Sequence, residues 1–173
     1  MHFQGAVSGV DLDSDLMLKI VKASSGKVCG TKFTCASTGK LTRVAAALNA
    51  VSVKSTGSGW MAFGGIADFT IQTAASGGSG MIVGGANVMP KLNVHVWNLW
   101  AQGKYEEAME KQKILSEGDW ILSKTAIAGT KAAIEMTAGY GGFPRRPLQR
   151  LSEEQRANVK ERIAEAMKIE DSL

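Results

Sequence analysis

The feature that most constrains this chain is an alternation. Short apolar runs ending on small residues take turns with stretches of helical pattern. Residues 28–35 suit a buried strand, and the pattern turns helical from Gly39, with a helix expected over 41–51 and Lys40 and Arg43 on its outer side. A flexible KSTGSG turn leads to a second strand over 60–64, a helix over 68–75 and a third strand over 80–84. Strand, helix, strand, helix in this order argues for βαβ units with parallel pairing. The second and third strands end in Gly64-Gly65 and Gly84-Gly85. Glycine there lets backbone approach a ligand closely, as a site at the C-terminal ends of barrel strands requires.

Lys32 stands in the middle of the first strand, where an apolar residue is expected. GTK is not a specific motif, and the same spacing fits a lysine at a strand end whose head snorkels to water. If it is instead part-buried, burial disfavours the charged amine, lowers its pKa and frees a nucleophile. Attack on a ketone then gives a Schiff base, an electron sink for making or breaking the adjacent carbon–carbon bond. Strand alternation puts Gly30, Lys32 and Thr34 on one face and Cys29, Thr31, Phe33 and Cys35 on the other, against helices. Cys29 and Cys35 are therefore expected as reduced core residues. An extended strand holds them roughly 20 Å apart, too far to bond.

Composition narrows the function classes. A 173-residue chain with 45% hydrophobic and 21% charged residues is globular in character, but a complete (β/α)8 barrel needs about 250 residues. The net charge of +4 is spread along the chain without a dense basic stripe, so nucleic acid is not an expected partner. No apolar run approaches the ~20 residues of a membrane span, and residues 1–9 lack the basic start and apolar core of a signal peptide. A cytosolic protein without a membrane partner is expected.

Several local patterns resolve on inspection. DLDSD at residues 11–15 opens like a calcium loop, but Leu16 and Lys22 stand where that loop needs glycine and glutamate. Asp13 or Ser14 is better read as the N-cap of a helix over 15–23 that buries Leu16, Leu18, Ile20 and part of Val21. The glycine-rich strand ends match neither phosphate-binding motif, GxGxxG or GxxxxGK[ST]. Beyond Pro90 the chain is helical, with an apolar stripe of Leu92, Val96, Leu99 and Trp100; His95 beside it has no second metal ligand in view. Further helices are expected to begin over 105–115 and to run over 121–137. The second contains a second GTK with Lys131, in an alanine-rich helical setting that does not favour chemistry. Arg145 and Arg146, in a glycine–proline loop, could hold a carboxylate but suit a solvated linker better. Ser152 and Gln155 form a capping box for a last amphipathic helix ending near Lys168.

Taken together, GAVSGVDLDSDL, GTKFTCASTGKLTRVA, AFGGIADF, GGSGMIVGGANVMPK, GKYEEA, AIAGTKAA and GYGGFPRRPL resemble, in order, the C-terminal half of the dihydrodipicolinate synthase / N-acetylneuraminate lyase family. Its fungal aldolase-like members are the most similar. The resemblance implies an α/β fold, an incomplete (β/α)8 TIM barrel of about strands six to eight over residues 1–103, followed by a helical region over 104–173. It implies a class I aldolase-type lyase or synthase acting on pyruvate or 2-keto-3-deoxy acids, with Lys32 as the Schiff-base lysine and Gly65 and Ile82 lining the keto-acid site. No metal or organic cofactor is implied, because the lysine is itself the electron sink. The family's proton-relaying tyrosine falls at Met1 here, with His2 as the nearest substitute, and its paired threonines and first five strands would lie upstream. The expected partners are a small 2-keto acid and, because an incomplete barrel leaves open edges, further copies of the chain or a complementing N-terminal half. The competing expectation is a truncated, inactive relative that serves as an assembly partner.

Overall fold

A computed structural model describes residues 9–173. Met1, His2 and most of the GAVSG segment lie outside the described residues. Asp13 caps helix α1 (Ser14–Ala23), its carboxylate accepting from the Leu16 N–H at 2.7 Å. Strand β1 (Gly30–Phe33) follows, then α2 (Thr38–Ala47), β2 (Met61–Gly64), a 3-10 turn (Ala67–Phe69) and α3 (Thr70–Ala75). The short strand β3 (Gly80–Met81) leads through a second 3-10 turn (Gly84–Asn87) to helices α4 (Pro90–Ala101), α5 (Tyr105–Ala138) and α6 (Glu153–Ser172). The three strands form a parallel sheet in the order β1-β2-β3. The fold is α/β with a parallel sheet and a helical C-terminal part, as the alternation of patterns requires.

Register decides which residues share a face. Lys32 pairs with Phe63 and Phe63 with Gly80, so these three point to one side. Phe33 and Ala62, one position away, are fully buried on the other side, packed with Leu41, Val44 and Met17. A second core joins Leu92, Val96, Leu115, Leu122 and Val159 with Ala67 and Ile71. That core crosses residue 103, so the strand-bearing and helical parts are packed together.

Several sequence expectations change. In α1 the two stripes 16/20 and 17/21 compete for the interior: Met17 is buried and Leu18 and Val21 pack beside it, while Leu16 and Ile20 are exposed. Helix α2 stops four residues early because Asn49 takes a left-handed φ of 47°, which asparagine tolerates at a helix end. Lys40, expected outside, is buried and forms an ion pair with Asp11, which supplies the charge that burial requires. Cys29 precedes β1 and is exposed rather than core, whereas Cys35 packs beside the Phe33 cluster. The third strand is shorter than 80–84 because its end turns into the second 3-10 turn. No break falls between residues 115 and 121; α5 runs through and is interrupted at Ala126, where φ is 49° and ψ −139°. The capping box of Ser152 and Gln155 is present, and α6 continues past Lys168 to Ser172.

Candidate active site

Lys32 and Thr34 at the end of β1, Gly65 and Ile66 after β2, and Gly84, Gly85 and Asn87 after β3 line one side of a cavity of about 570 Å³. Helix α5 closes the other side with Asp119, Ser123, Ala126, Thr130 and Lys131. Lys32 is half-buried, and burial lowers its pKa, as its mid-strand position leads one to expect. Two residues on, the Thr34 hydroxyl is buried with no hydrogen-bond partner among the described residues. Gly65 is buried against it, and a Cβ at this position would collide with the Thr34 backbone. Only glycine lets the ends of β1 and β2 come this close.

Lys32 and Gly65 thus meet at one cavity. Ile82 is not among the residues that line it. Its N–H bonds the Gly64 carbonyl at 2.9 Å, and strand alternation turns its side chain, 48% exposed, to the same face as Lys32. Lys131 lines the cavity despite its helical setting, whereas Arg145 and Arg146 are exposed and away from it. Among the described residues no cluster of three His, Cys, Asp or Glu side chains is arranged for a metal ion, and no helix is long and apolar enough to cross a membrane.

The residue that sequence reasoning missed is Asp119. It is 2% exposed, and its Oδ2 accepts the Ala67 N–H at 3.0 Å, while the Asp68 N–H and the Ser123 hydroxyl are near enough to favour its charged form. Burial pushes its pKa up to about 6, and the neighbouring Asp68 carboxylate adds to the rise against the opposing hydrogen bonds. Asp68 itself is raised by burial. One turn and two turns earlier on α5, Ser116 donates to the Asp68 carbonyl at 3.1 Å and Gln112 bonds both the Ala67 carbonyl and the Ile71 N–H. A signal was present: Ala108, Gln112, Leu115, Asp119 and Leu122 follow the 4-3-4-3 spacing of a buried stripe, and two of its five positions are polar.

A parallel α/β sheet with a desolvated amine at the C-terminal ends of its strands is the architecture of a barrel-type site. The chain belongs to the dihydrodipicolinate synthetase family, whose model matches residues 6–166. It is 57% identical to the L-threo-3-deoxy-hexylosonate aldolase of Hypocrea jecorina over 99% of this chain and 54% of that protein. The L-threo-3-deoxy-hexylosonate aldolase of Aspergillus niger is 52% identical over 99% of this chain and 55% of its own length. Among solved structures, a dihydrodipicolinate synthase family protein from Coccidioides immitis superposes with a TM-score of 0.80 at 34% identity, covering 96% of this chain and 54% of that one. The chain spans about half the length of these relatives.

Proposed function

We propose that this chain carries the covalent half of a Schiff-base aldolase site, acting on pyruvate and on 2-keto-3-deoxy sugar acids. The carrying observation is Lys32, a part-buried amine with a lowered pKa at a cavity formed by glycine-rich strand ends. The strands β1, β2 and β3 correspond in this reading to the sixth, seventh and eighth strands of a (β/α)8 barrel. Lys32 Nζ adds to the C2 carbonyl of the keto acid and water leaves, giving the protonated Schiff base. The C3–C4 bond then breaks as the C4 hydroxyl loses its proton; an aldehyde departs and the electron pair is held as the enamine. Protonation at C3 and hydrolysis release pyruvate and restore the lysine. Backbone near Gly65 and Ile82, with the unpartnered Thr34 hydroxyl, is assigned to the substrate carboxylate. The names of the two fungal relatives support a 3-deoxy-hexylosonate as the substrate class.

Incubation with pyruvate and borohydride, followed by peptide mass mapping, tests this. A reduced adduct confined to Lys32 and lost in Lys32→Ala is expected. Adducts at Lys131, or spread over surface lysines, would sink the assignment. A second reading, an inactive assembly partner, draws on the sheet face that leaves Ile82 exposed. A Lys32 that stays unmodified in a folded protein favours it.

A further inference from the structure

The Ala67–Ile71 segment follows directly on Gly65 and Ile66, and three side chains of α5 hold it. Gln112 Oε1 accepts the Ile71 N–H at 3.1 Å, and Gln112 Nε2 donates to the Ala67 carbonyl at 2.9 Å. Ser116 donates to the Asp68 carbonyl at 3.1 Å. Asp119 accepts the Ala67 N–H at 3.0 Å and, through its other oxygen, lies against Gly85, where a Cβ would collide with it. These residues are spaced 112, 116, 119 and occupy one face of α5. Asp119 differs from the other two because it bonds the turn that follows the β2 glycines, lies against Gly85 after β3 and also lines the Lys32 cavity. A buried carboxylate costs several kcal/mol of desolvation unless it is well bonded, so its presence here calls for a role beyond packing.

We infer that Asp119 is a positioning residue for this site: it fixes the Gly65–Asp68 backbone against the end of β3 and so sets the geometry in which the keto-acid carboxylate is received. What the positioned backbone binds rests on the Lys32 reading; the positioning itself does not. The charged groups around Asp119 are Asp68 from the 3-10 turn and, lining the same cavity, Lys32 from β1 and Lys131 from α5. One carboxylate oxygen accepts the Ala67 N–H and the other lies against Gly85, which is the pattern of an anchor rather than of a group that exchanges protons with substrate.

The test uses the full chain and the variants D119A and D119N, with two readouts. The first needs no ligand: amide hydrogen exchange at Ala67 and Asp68. D119A removes every acceptor and speeds exchange at these amides by about tenfold or more, while Thr31 and Lys32 in β1 keep their wild-type rates. D119N retains one acceptor oxygen and restores most of the protection at Ala67. Should D119A fail to fold, D119L, which fills a similar volume but carries no acceptor, decides in its place through exchange at Ala67. The second readout is borohydride trapping of pyruvate at Lys32 against pyruvate concentration. D119A raises the half-saturating concentration about tenfold with little change in the trapped fraction at saturation, and D119N recovers to within about threefold. Wild-type protection at Ala67 and Asp68 in both variants overturns the inference. So does a uniform rise in exchange that includes β1, which would make Asp119 a general stability element. Absence of trapping in the wild type defeats the Lys32 reading instead, and the exchange result still decides the positioning.

Discussion

The helical core around Leu115 and the sheet around Lys32 handle burial in opposite ways. Between α4, α5 and α6 the apolar side chains close on one another, and Leu92, Val96, Leu115 and Val159 are wholly withdrawn from water. The sheet is closed on one face only. Phe33 and Ala62 are sealed beneath α2, while Ile82 on the opposite face is 48% exposed and Lys32 only half-covered. Stability therefore belongs to the helices and the sealed face. In the proposed reading chemistry belongs to the face left open, where an amine is partly dried without being shut away.

The largest expected effect concerns that open face. On the aldolase reading proposed above, a second polypeptide carrying the N-terminal half of a full-length relative should pair with the sheet edges and raise aldol cleavage by about 10²–10⁴-fold, the range that positioned acid–base groups contribute. Sedimentation of the chain alone should show association rather than a compact monomer. Efficient cleavage by a monodisperse 173-residue monomer, abolished by Lys32→Ala, would break the comparison.

Within the chain, Leu115→Ala should cost about 2–5 kcal/mol of stability, as truncation in a closed core does. Ile82→Ala should stay within about 0.5 kcal/mol, because its side chain is already wet. Urea denaturation of the two variants compares the regions directly, and equal losses would show that the open face is covered in solution.

Next in size is a pH dependence. The carboxyl of Asp119 is raised from the usual 3.8 to about 6, so the native state binds its proton where the unfolded state has released it. Stability should then fall as pH rises from about 4 to about 6, by no more than about 3 kcal/mol, and level off above. Asp68, raised by burial, adds in the same direction. Thermal melts across this range should show the slope in the wild type and most of it gone in D119N. The opposite slope would mean that the hydrogen bonds to Asp119 outweigh its burial.

How much of this was legible differs by region, for physical reasons. The βα alternation, the parallel sheet and the odd lysine in a strand follow from local periodicity. The Ser152 cap did too, since a capping box is a contact within four residues. The site's roof did not. Alanine is the best helix former, so nothing local predicts a break at Ala126, which lines the cavity. Asp119 reads as one more surface acid until the 112/116/119 spacing is set against a buried stripe. Helix α1 offered two apolar stripes of equal quality, and only tertiary packing chose Met17 over Leu16 and Ile20.

The clasp of α5 on the Ala67–Ile71 segment joins residues 41 to 52 positions apart in the chain. Contacts this distant in sequence cost more loop-closure entropy than those between neighbouring helices. Synthesis adds an order of its own. Lys32 leaves the ribosome about 90 residues ahead of Ala126, which at 5–20 residues per second is on the order of ten seconds. Through that interval β1 has no α5 beside it, and Lys32 stands outside the cavity that this helix later closes.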